Sequence, residues 1–285
     1  MQMIRLDDIN VHYREDGDPS GRAVMFSNSL GTDLRLWDKI VPLLPGGLRL
    51  IRYDKRGHGL SDAPPAPYHM GTLVSDAERL ADHLGVRNCV FVGLSVGGLI
   101  AQGLAVKRPD IVAQMVISNT AAKIGTRAMW DDRIAGVKSG GIAALGDAIM
   151  ERWFSKAFLE TDERSGWQNL LERQPDDGYM GVSAAISHTD FMNTTAALTL
   201  PTLAIAGSED GATPPDLVRE TAALVPGSKS MSHTSCSSSS RETNSPLART
   251  SASSRSNSRG LNSTLVRAFP HPEDATKQMV TFNLP

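Results

Sequence analysis

Cys89-Val-Phe-Val-Gly-Leu-Ser-Val-Gly-Gly-Leu-Ile-Ala-Gln-Gly-Leu104 decides how the rest of the chain is read. Val90 to Val92 is a short β-branched and aromatic run, the composition of a buried strand. Gly93-Leu-Ser-Val-Gly97 turns the chain, and the Ala/Leu/Gln stretch after Gly98 reads as a helix. G-x-S-x-G between a strand and a helix is the context of a nucleophile elbow. Such a turn forces the serine into a strained backbone, so the residues two before and two after it must be small. Gly93 and Gly97 meet that demand. Ser95 is then presented at the C-terminal edge of a sheet, with the positive end of a helix behind it. A glycine-rich connection with an idle serine is the plainer reading of the string, and the flanking strand and helix weigh against it.

Outward from the elbow, strands and helices alternate. Met3 to Leu6 and Asn10 to Arg14 predict a hairpin turned at Asp7-Asp8. Ala23 to Phe26 and Leu48 to Tyr53 are compact apolar runs that suit buried strands, and Ala113 to Ser118 is another. Trp37 to Leu44 predicts a short helix, and Ser75 to Leu84 a longer one. The alternation predicts an α/β fold with a doubly wound, mostly parallel sheet. From about residue 122 the strands stop. Met129 to Ile134, Ile142 to Phe154 and Asp162 to Leu171 carry helical spacing, with tryptophans at 130, 153 and 167. This predicts a helical lid over residues 122–198, inserted between core segments 1–121 and 199–229. Thr202 to Ala206 resumes the strands, and Asp216 to Val225 reads as a helix entered through Pro214-Pro215.

Bulk properties narrow the setting. The chain has 285 residues, a net charge of −2 and two cysteines in unlike contexts, Cys89 and Cys236. Balanced charge argues against a nucleic-acid partner. No apolar stretch approaches the about 18 residues that a membrane helix needs. The N-terminal segment lacks a basic region followed by an apolar run. A cytoplasmic protein without a disulfide framework is expected.

Serine-based ester hydrolysis needs an orienting carboxylate, a base and two oxyanion donors. Asp210, directly after the Thr202 strand in Gly-Ser-Glu-Asp-Gly, is the candidate acid, with Glu209 as its rival. The Val96 amide is one candidate donor. The other belongs to the loop Ser27-Asn-Ser-Leu-Gly-Thr32, most naturally at Leu30. His58, in Arg56-Gly-His-Gly59, precedes the nucleophile and reads as a loop-fixing histidine. His12, His69 and His83 read as surface positions. On this fold the base follows the acid by about a helix and a strand, which leaves His233, with His271 in Phe269-Pro-His-Pro272 a weaker choice. Trp130 and Trp153 are candidate substrate contacts in the lid, packing being their plainer role. No cofactor or metal is called for.

Together these strings resemble the 3-oxoadipate enol-lactonase branch of the α/β-hydrolase superfamily. The resemblance rests on Phe26-Ser-Asn-Ser-Leu-Gly-Thr-Asp-Leu-Arg-Leu-Trp37, Arg52-Tyr-Asp-Lys-Arg-Gly-His-Gly-Leu-Ser-Asp62, Gly93-Leu-Ser-Val-Gly97, Ser118-Asn-Thr-Ala-Ala-Lys-Ile-Gly125, Glu151-Arg-Trp-Phe154 and Leu203-Ala-Ile-Ala-Gly-Ser-Glu-Asp-Gly211. It spans residues 1 to about 229. It implies that Ser95 is the nucleophile, Asp210 the acid, and the Leu30 and Val96 amides the oxyanion donors. The implied reaction is cofactor-free hydrolysis of a small lactone, 3-oxoadipate enol-lactone, in aromatic-compound catabolism. Lid arginines such as Arg133 or Arg152 are candidates for its carboxylate, against a solvated surface role.

Past Lys229 the pattern breaks. Residues 230–285 are rich in serine and lack either period, which predicts disorder and loss of the family's last strand and helix. Ser230-Met-Ser-His-Thr-Ser-Cys-Ser-Ser-Ser-Ser-Arg-Glu242 can be written in codons that, read one base displaced, give Asp-Val-Ala-His-Ile-Leu-Leu-Val-Glu-Gln-Pro-Gly. The family carries a histidine ahead of Val-Glu-Gln-Pro there, so a frameshift near residue 229 is the reading of the tail. Three functions stay open. One is the lactonase, active or inactivated by its altered C-terminus. Another is a different carboxylesterase or cofactor-free haloperoxidase on the same scaffold. The last is a catalytically dead hydrolase-fold binding protein.

Overall fold

The computed structural model describes residues 1–233, the last of them by its backbone alone. The strands are β1 (Gln2–Leu6), β2 (Ile9–Gly17), β3 (Arg22–Ser27), β4 (Leu48–Tyr53), β5 (Cys89–Leu94), β6 (Val112–Ser118), β7 (Thr202–Gly207) and β8 (Lys229–His233). They form one sheet in the order β1-β2-β4-β3-β5-β6-β7-β8. β1 and β2 make an antiparallel hairpin, β2 runs antiparallel to β4, and every later pairing is parallel. This is the α/β-hydrolase fold that the sequence predicts. β5 lies centrally, between β3 and β6. In a parallel sheet the loops leaving β3, β5, β6 and β7 gather at one edge, where ligands bind.

Two helices flank the elbow strand, α1 (Met70–His83) and α2 (Val96–Lys107). α1 is amphipathic and buries Leu73, Val74, Ala77, Leu80 and Ala81. α2 is apolar nearly all round and sinks into the core with Leu99, Ile100, Ala101 and Leu104 fully buried. Both pack with β-strand residues such as Phe91, Met115 and Ile117 on one sheet face. The other face carries Val24, Phe26, Val90, Val92, Val116 and Leu203, with the Trp37 ring tilted against Phe26 at 5.0 Å between centroids.

Between β6 and β7 the chain is helical. The lid comprises α3 (Arg127–Gly140), α4 (Gly146–Trp153), α5 (Lys156–Leu159), α6 (Glu163–Glu172), α7 (Asp176–Ser187) and α8 (Met192–Ala196), and α9 (Pro215–Ala223) follows β7. No helix among the described residues is long and apolar enough to cross a membrane.

The structure departs from the sequence reading at several places. The helix expected over Trp37 to Leu44 is two short 3-10 turns, Leu34–Trp37 and Val41–Leu43. Asp33 caps the first, and Pro42 cannot donate the hydrogen bond an α-helix would need there. α7 was not foreseen, because Gly178 and Gly181 weaken its helical signal. Those glycines are needed for close approach: a Cβ on Gly178 would lie 1.8 Å from the Gly57 carbonyl oxygen, and one on Gly181 2.6 Å from the Tyr68 ring. The last correction concerns the C-terminal edge. The final strand was expected to be lost from residue 230, yet Lys229 to His233 pair in parallel with β7, Gly207 opposite His233. Parallel pairing needs only main-chain groups, which serines supply. The rest of the expected disordered segment, 234–285, lies outside the described residues, as does His271.

Candidate active site

Ser95 sits at φ 57°, ψ −118°, between the end of β5 and the first turn of α2. That conformation costs a non-glycine residue about 1–3 kcal/mol. Its neighbours hold it there. The Ser95 amide donates to the Ser118 carbonyl at 3.0 Å, and the Ser95 carbonyl accepts the Thr120 hydroxyl at 2.6 Å. A Cβ on Gly93 would meet the Gly97 carbonyl oxygen at 2.2 Å, and one on Gly97 would meet the Ser27 carbonyl oxygen at 2.0 Å. The elbow therefore presses directly on the end of β3. The Ser95 hydroxyl makes no hydrogen bond among the described residues.

The loop after β3 is built from the opposite side. The Gly31 amide donates to His58 Nε2 at 2.9 Å. Lys55 Nζ donates to the carbonyls of Ser29 at 2.5 Å and Thr32 at 3.1 Å. Asn28 Nδ2 also donates to the Thr32 carbonyl. With Ser29, Gly31 and Thr32 all tied, the Leu30 amide between them has no acceptor among the described residues, although Leu30 is buried. The Val96 amide, first in α2, is likewise without one. Buried main-chain donors are seldom left so.

His58 is completely buried, as a loop-fixing histidine should be. Because Nε2 accepts from Gly31, the ring proton lies on Nδ1, toward the Arg56 carbonyl at 3.3 Å. Burial, and then the Lys55 charge, hold the imidazole well below its ordinary pKa, so it stays neutral.

Asp210 lies three residues beyond β7 and is bound on both oxygens. Oδ1 accepts the amides of Ala212 at 2.7 Å and Thr213 at 3.2 Å. Oδ2 accepts Asn119 Nδ2 and the Thr213 hydroxyl, each at 2.7 Å. Glu209, its rival, is exposed, whereas Asp210 is half-buried.

Comparison with known proteins bears on what this geometry belongs to. The family model of the alpha/beta hydrolase fold matches residues 22–137. The chain is 33% identical over 208 residues to 3-oxoadipate enol-lactonase 2 of Acinetobacter baylyi, covering 72% of this chain and 78% of that protein. The chain belongs to the 3-oxoadipate enol-lactonase branch of the α/β-hydrolases. A second Acinetobacter baylyi protein, 3-oxoadipate enol-lactonase 1, is 34% identical over 70% of this chain and 75% of its own length. The crystal structure of the enol-lactonase from Burkholderia xenovorans LB400 superposes with a TM-score of 0.79 at 33% identity, covering 81% of this chain and 91% of that one.

In this α/β-hydrolase the lid closes on the loop after β3. A Cβ on Gly31 would lie 2.6 Å from Leu171 Cδ1, 3.0 Å from Trp153 Cη2 and 3.2 Å from the Tyr179 ring. Trp153 thus stands beside the loop that holds Leu30. Trp130 is buried and donates Nε1 to the Ile124 carbonyl at 2.7 Å, so only its ring is left for contact. Arg133 lies over that ring and donates to the Tyr179 hydroxyl at 3.1 Å. The Arg152 carbonyl accepts the Gly211 amide at 3.1 Å, tying the end of α4 to the loop of Asp210.

The histidines divide plainly. His69 and His83 are exposed. His12, expected at the surface, is half-buried, with Nδ1 2.8 Å from Asp54 Oδ2. His188 bonds back to Ala184 in its own helix. His233 ends β8, its backbone beside Gly207 and so near the start of the Asp210 loop. Sequence reasoning missed Asn119, Thr213 and Lys55. Asn119 alone carried a signal, an Asn at a strand end, the residue type that tolerates positive φ. Among the described residues no cluster of three or more His, Cys, Asp or Glu is placed to hold a metal. A surface cleft of about 440 Å³ lined by Arg22, Arg49 and Arg87 opens at the strands' N-terminal ends, away from Ser95.

Proposed function

We propose that this chain is a serine hydrolase of small carboxylic esters, with a lactone such as 3-oxoadipate enol-lactone as substrate. One observation carries the reading. Two buried amides, Leu30 and Val96, are left without acceptors on either side of a strained, exposed-edge serine. Such donors suit the oxygen of a tetrahedral intermediate. In the mechanism that follows, Ser95 Oγ attacks the lactone carbonyl and passes its proton to a base. The oxyanion is received by the Leu30 and Val96 amides. Collapse breaks the ring C–O bond, the base returns its proton to the enol oxygen, and water hydrolyses the acyl-serine. The freed enol tautomerises to a ketone. Asp210, held by four donors, is the acid that orients the base. His233 is the candidate base, because its backbone position adjoins the Asp210 loop.

Trp153 and Arg133 are the proposed lid contacts, the ring toward the substrate's apolar part and the guanidinium toward its carboxylate. The fold is shared with esterases and haloperoxidases, so the substrate class needs its own test. The full-length chain is assayed with the enol-lactone and with simple aryl esters, beside Ser95→Ala and His233→Ala, and each is labelled with a fluorophosphonate probe. Lactone turnover without matching ester turnover, lost in Ser95→Ala, supports the reading. Undiminished turnover or labelling in Ser95→Ala refutes it.

A further inference from the structure

The buried Lys55 is left unexplained by this mechanism. Its side chain is 2% exposed, and both of its hydrogen bonds run to carbonyls of one loop, Ser29 and Thr32. The titratable groups that act on it are Asp54 and the neutral His58 on its own loop and Asp33 on the loop after β3, with His12 and Arg35 bound to those two aspartates. Neither aspartate is hydrogen-bonded to it. Asp54 is taken up by the Leu34 and Leu60 amides and His12, and Asp33 by Arg35. Arg56 turns away to Asp76 and Asp8. Burying an ammonium without a hydrogen-bonded carboxylate costs several kcal/mol. Neutral donors already serve the same two carbonyls: Asn28 Nδ2 reaches Thr32, and the Thr32 hydroxyl reaches Ser29. Loop closure alone therefore does not call for a charge.

We propose that Lys55 is a positioning residue for acyl transfer, whose protonated amine locks the Ser29–Leu30 peptide unit, which carries the Leu30 N–H, against the Thr32–Asp33 unit and so fixes the Leu30 amide as an oxyanion donor. The inference rests on the hydrolase reading for its catalytic consequence, but not for the state of the loop. Charge-assisted hydrogen bonds are about twice as strong as neutral ones. Loss of the proton weakens both contacts and removes a positive charge from behind the oxyanion. Burial brings the Lys55 pKa down to about 7, with Asp54 and Asp33 pulling it up. The lock therefore holds below neutrality and loosens above it.

The test compares the full-length wild type with Lys55→Met. Methionine keeps the volume and drops the charge, so the variant is expected to be at least as stable by urea unfolding. Backbone hydrogen exchange of residues 28–33 is followed from pH 5.5 to 8.5 and normalised to intrinsic rates. In the wild type, protection should fall as pH rises through about 7. In Lys55→Met it should be about tenfold lower at pH 6 and flat with pH, with α1 and α2 unchanged. Fluorophosphonate labelling of Ser95 should slow about tenfold in the variant at pH 6 and lose its alkaline fall. Equal loop protection in the two proteins overturns the proposal, as does a loosened loop with an unchanged labelling rate. A wild type that never labels overturns the hydrolase reading instead, and loop exchange then decides the role of Lys55 alone.

Discussion

Asn119 donates its side-chain amide to Asp210 Oδ2 at 2.7 Å, from a backbone at φ +47°. It follows β6 directly, one residue after the Ser118 carbonyl that anchors Ser95. Asn119 thus links the end of β6, which anchors Ser95, to the loop of Asp210. The positive φ strains most residues and asparagine least. Asn119→Ala should lose a hydrogen bond to a charged group and keep the strained backbone, lowering lactone turnover by about ten- to a hundredfold. Asn119→Gly loses the same bond and relieves the backbone. Its turnover should fall equally while its unfolding free energy exceeds that of the alanine variant. Equal stability of the two would remove backbone strain from the account, and undiminished turnover would remove the hydrogen bond.

Gly31 stands where the loop after β3 meets the lid. Its φ is +75°, and a methyl group there would strike Leu171, Trp153 and Tyr179. Leu171 is fully buried and has little room to move. Gly31→Ala should therefore destabilise the protein by about 2–4 kcal/mol, joining the left-handed penalty to overpacking. The lid should also become more open to proteolysis between α4 and α7. A urea midpoint within error of the wild type would show that the lid seats without this contact.

His58 should make the protein acid-sensitive. Its folded pKa lies well below the ordinary 6.5, chiefly through burial. Below pH 6.5 the unfolded chain binds a proton that the folded chain refuses. Stability is therefore greatest above that pH and falls with acid, by up to about 1.4 kcal/mol per pH unit until the folded pKa is reached. His58→Gln keeps an acceptor for the Gly31 amide and cannot titrate. The stability of the wild type relative to this variant should decline from pH 6.5 to 4.5. Parallel stability curves for the two proteins would rule out a buried neutral His58.

The fold was legible because strand and helix periods alternate cleanly through α2, and because G-x-S-x-G fixes where the alternation turns. The candidate acid and the two candidate oxyanion amides were placed from chain order around that point. Lys55, Asn119 and Thr213 were not legible. Lys55 and Asn119 act through hydrogen bonds between segments distant in sequence, and Thr213 through contacts three residues back within one loop, none of which leaves a period. α7 was hidden by the glycines that let it touch Gly57 and Tyr68. β8 was hidden by its serines, since an edge strand can be specified by main-chain pairing with β7 rather than by apolar alternation.

The C-terminal continuation is expected to limit activity. β7 and β8 run in parallel with Gly207 opposite His233, so the two strands end at the same edge of the sheet. The candidate acid Asp210 follows the first strand, and the candidate base His233 ends the second. The displaced reading of residues 230–242 keeps a histidine at position 233 and follows it with Ile-Leu-Leu-Val-Glu-Gln-Pro, the continuation that the resemblance implies, whereas in this chain His233 is followed by a serine-rich run. Replacing residues 230–241 by Asp-Val-Ala-His-Ile-Leu-Leu-Val-Glu-Gln-Pro-Gly, with the displaced-frame sequence thereafter, should raise the labelling rate of Ser95 and lactone turnover. Both chains carry a histidine at 233, so the gain is expected from the continuation that seats it; a serine triad whose base is not seated loses up to several orders of magnitude, and a gain of at least about a hundredfold is expected. Sequencing the gene across codon 229 in independent isolates tests the origin of the difference, a single displaced base being the expected finding. Equal rates for the native and replaced chains would show that the native continuation already supplies a competent base, with His233→Ala identifying whether His233 is that base.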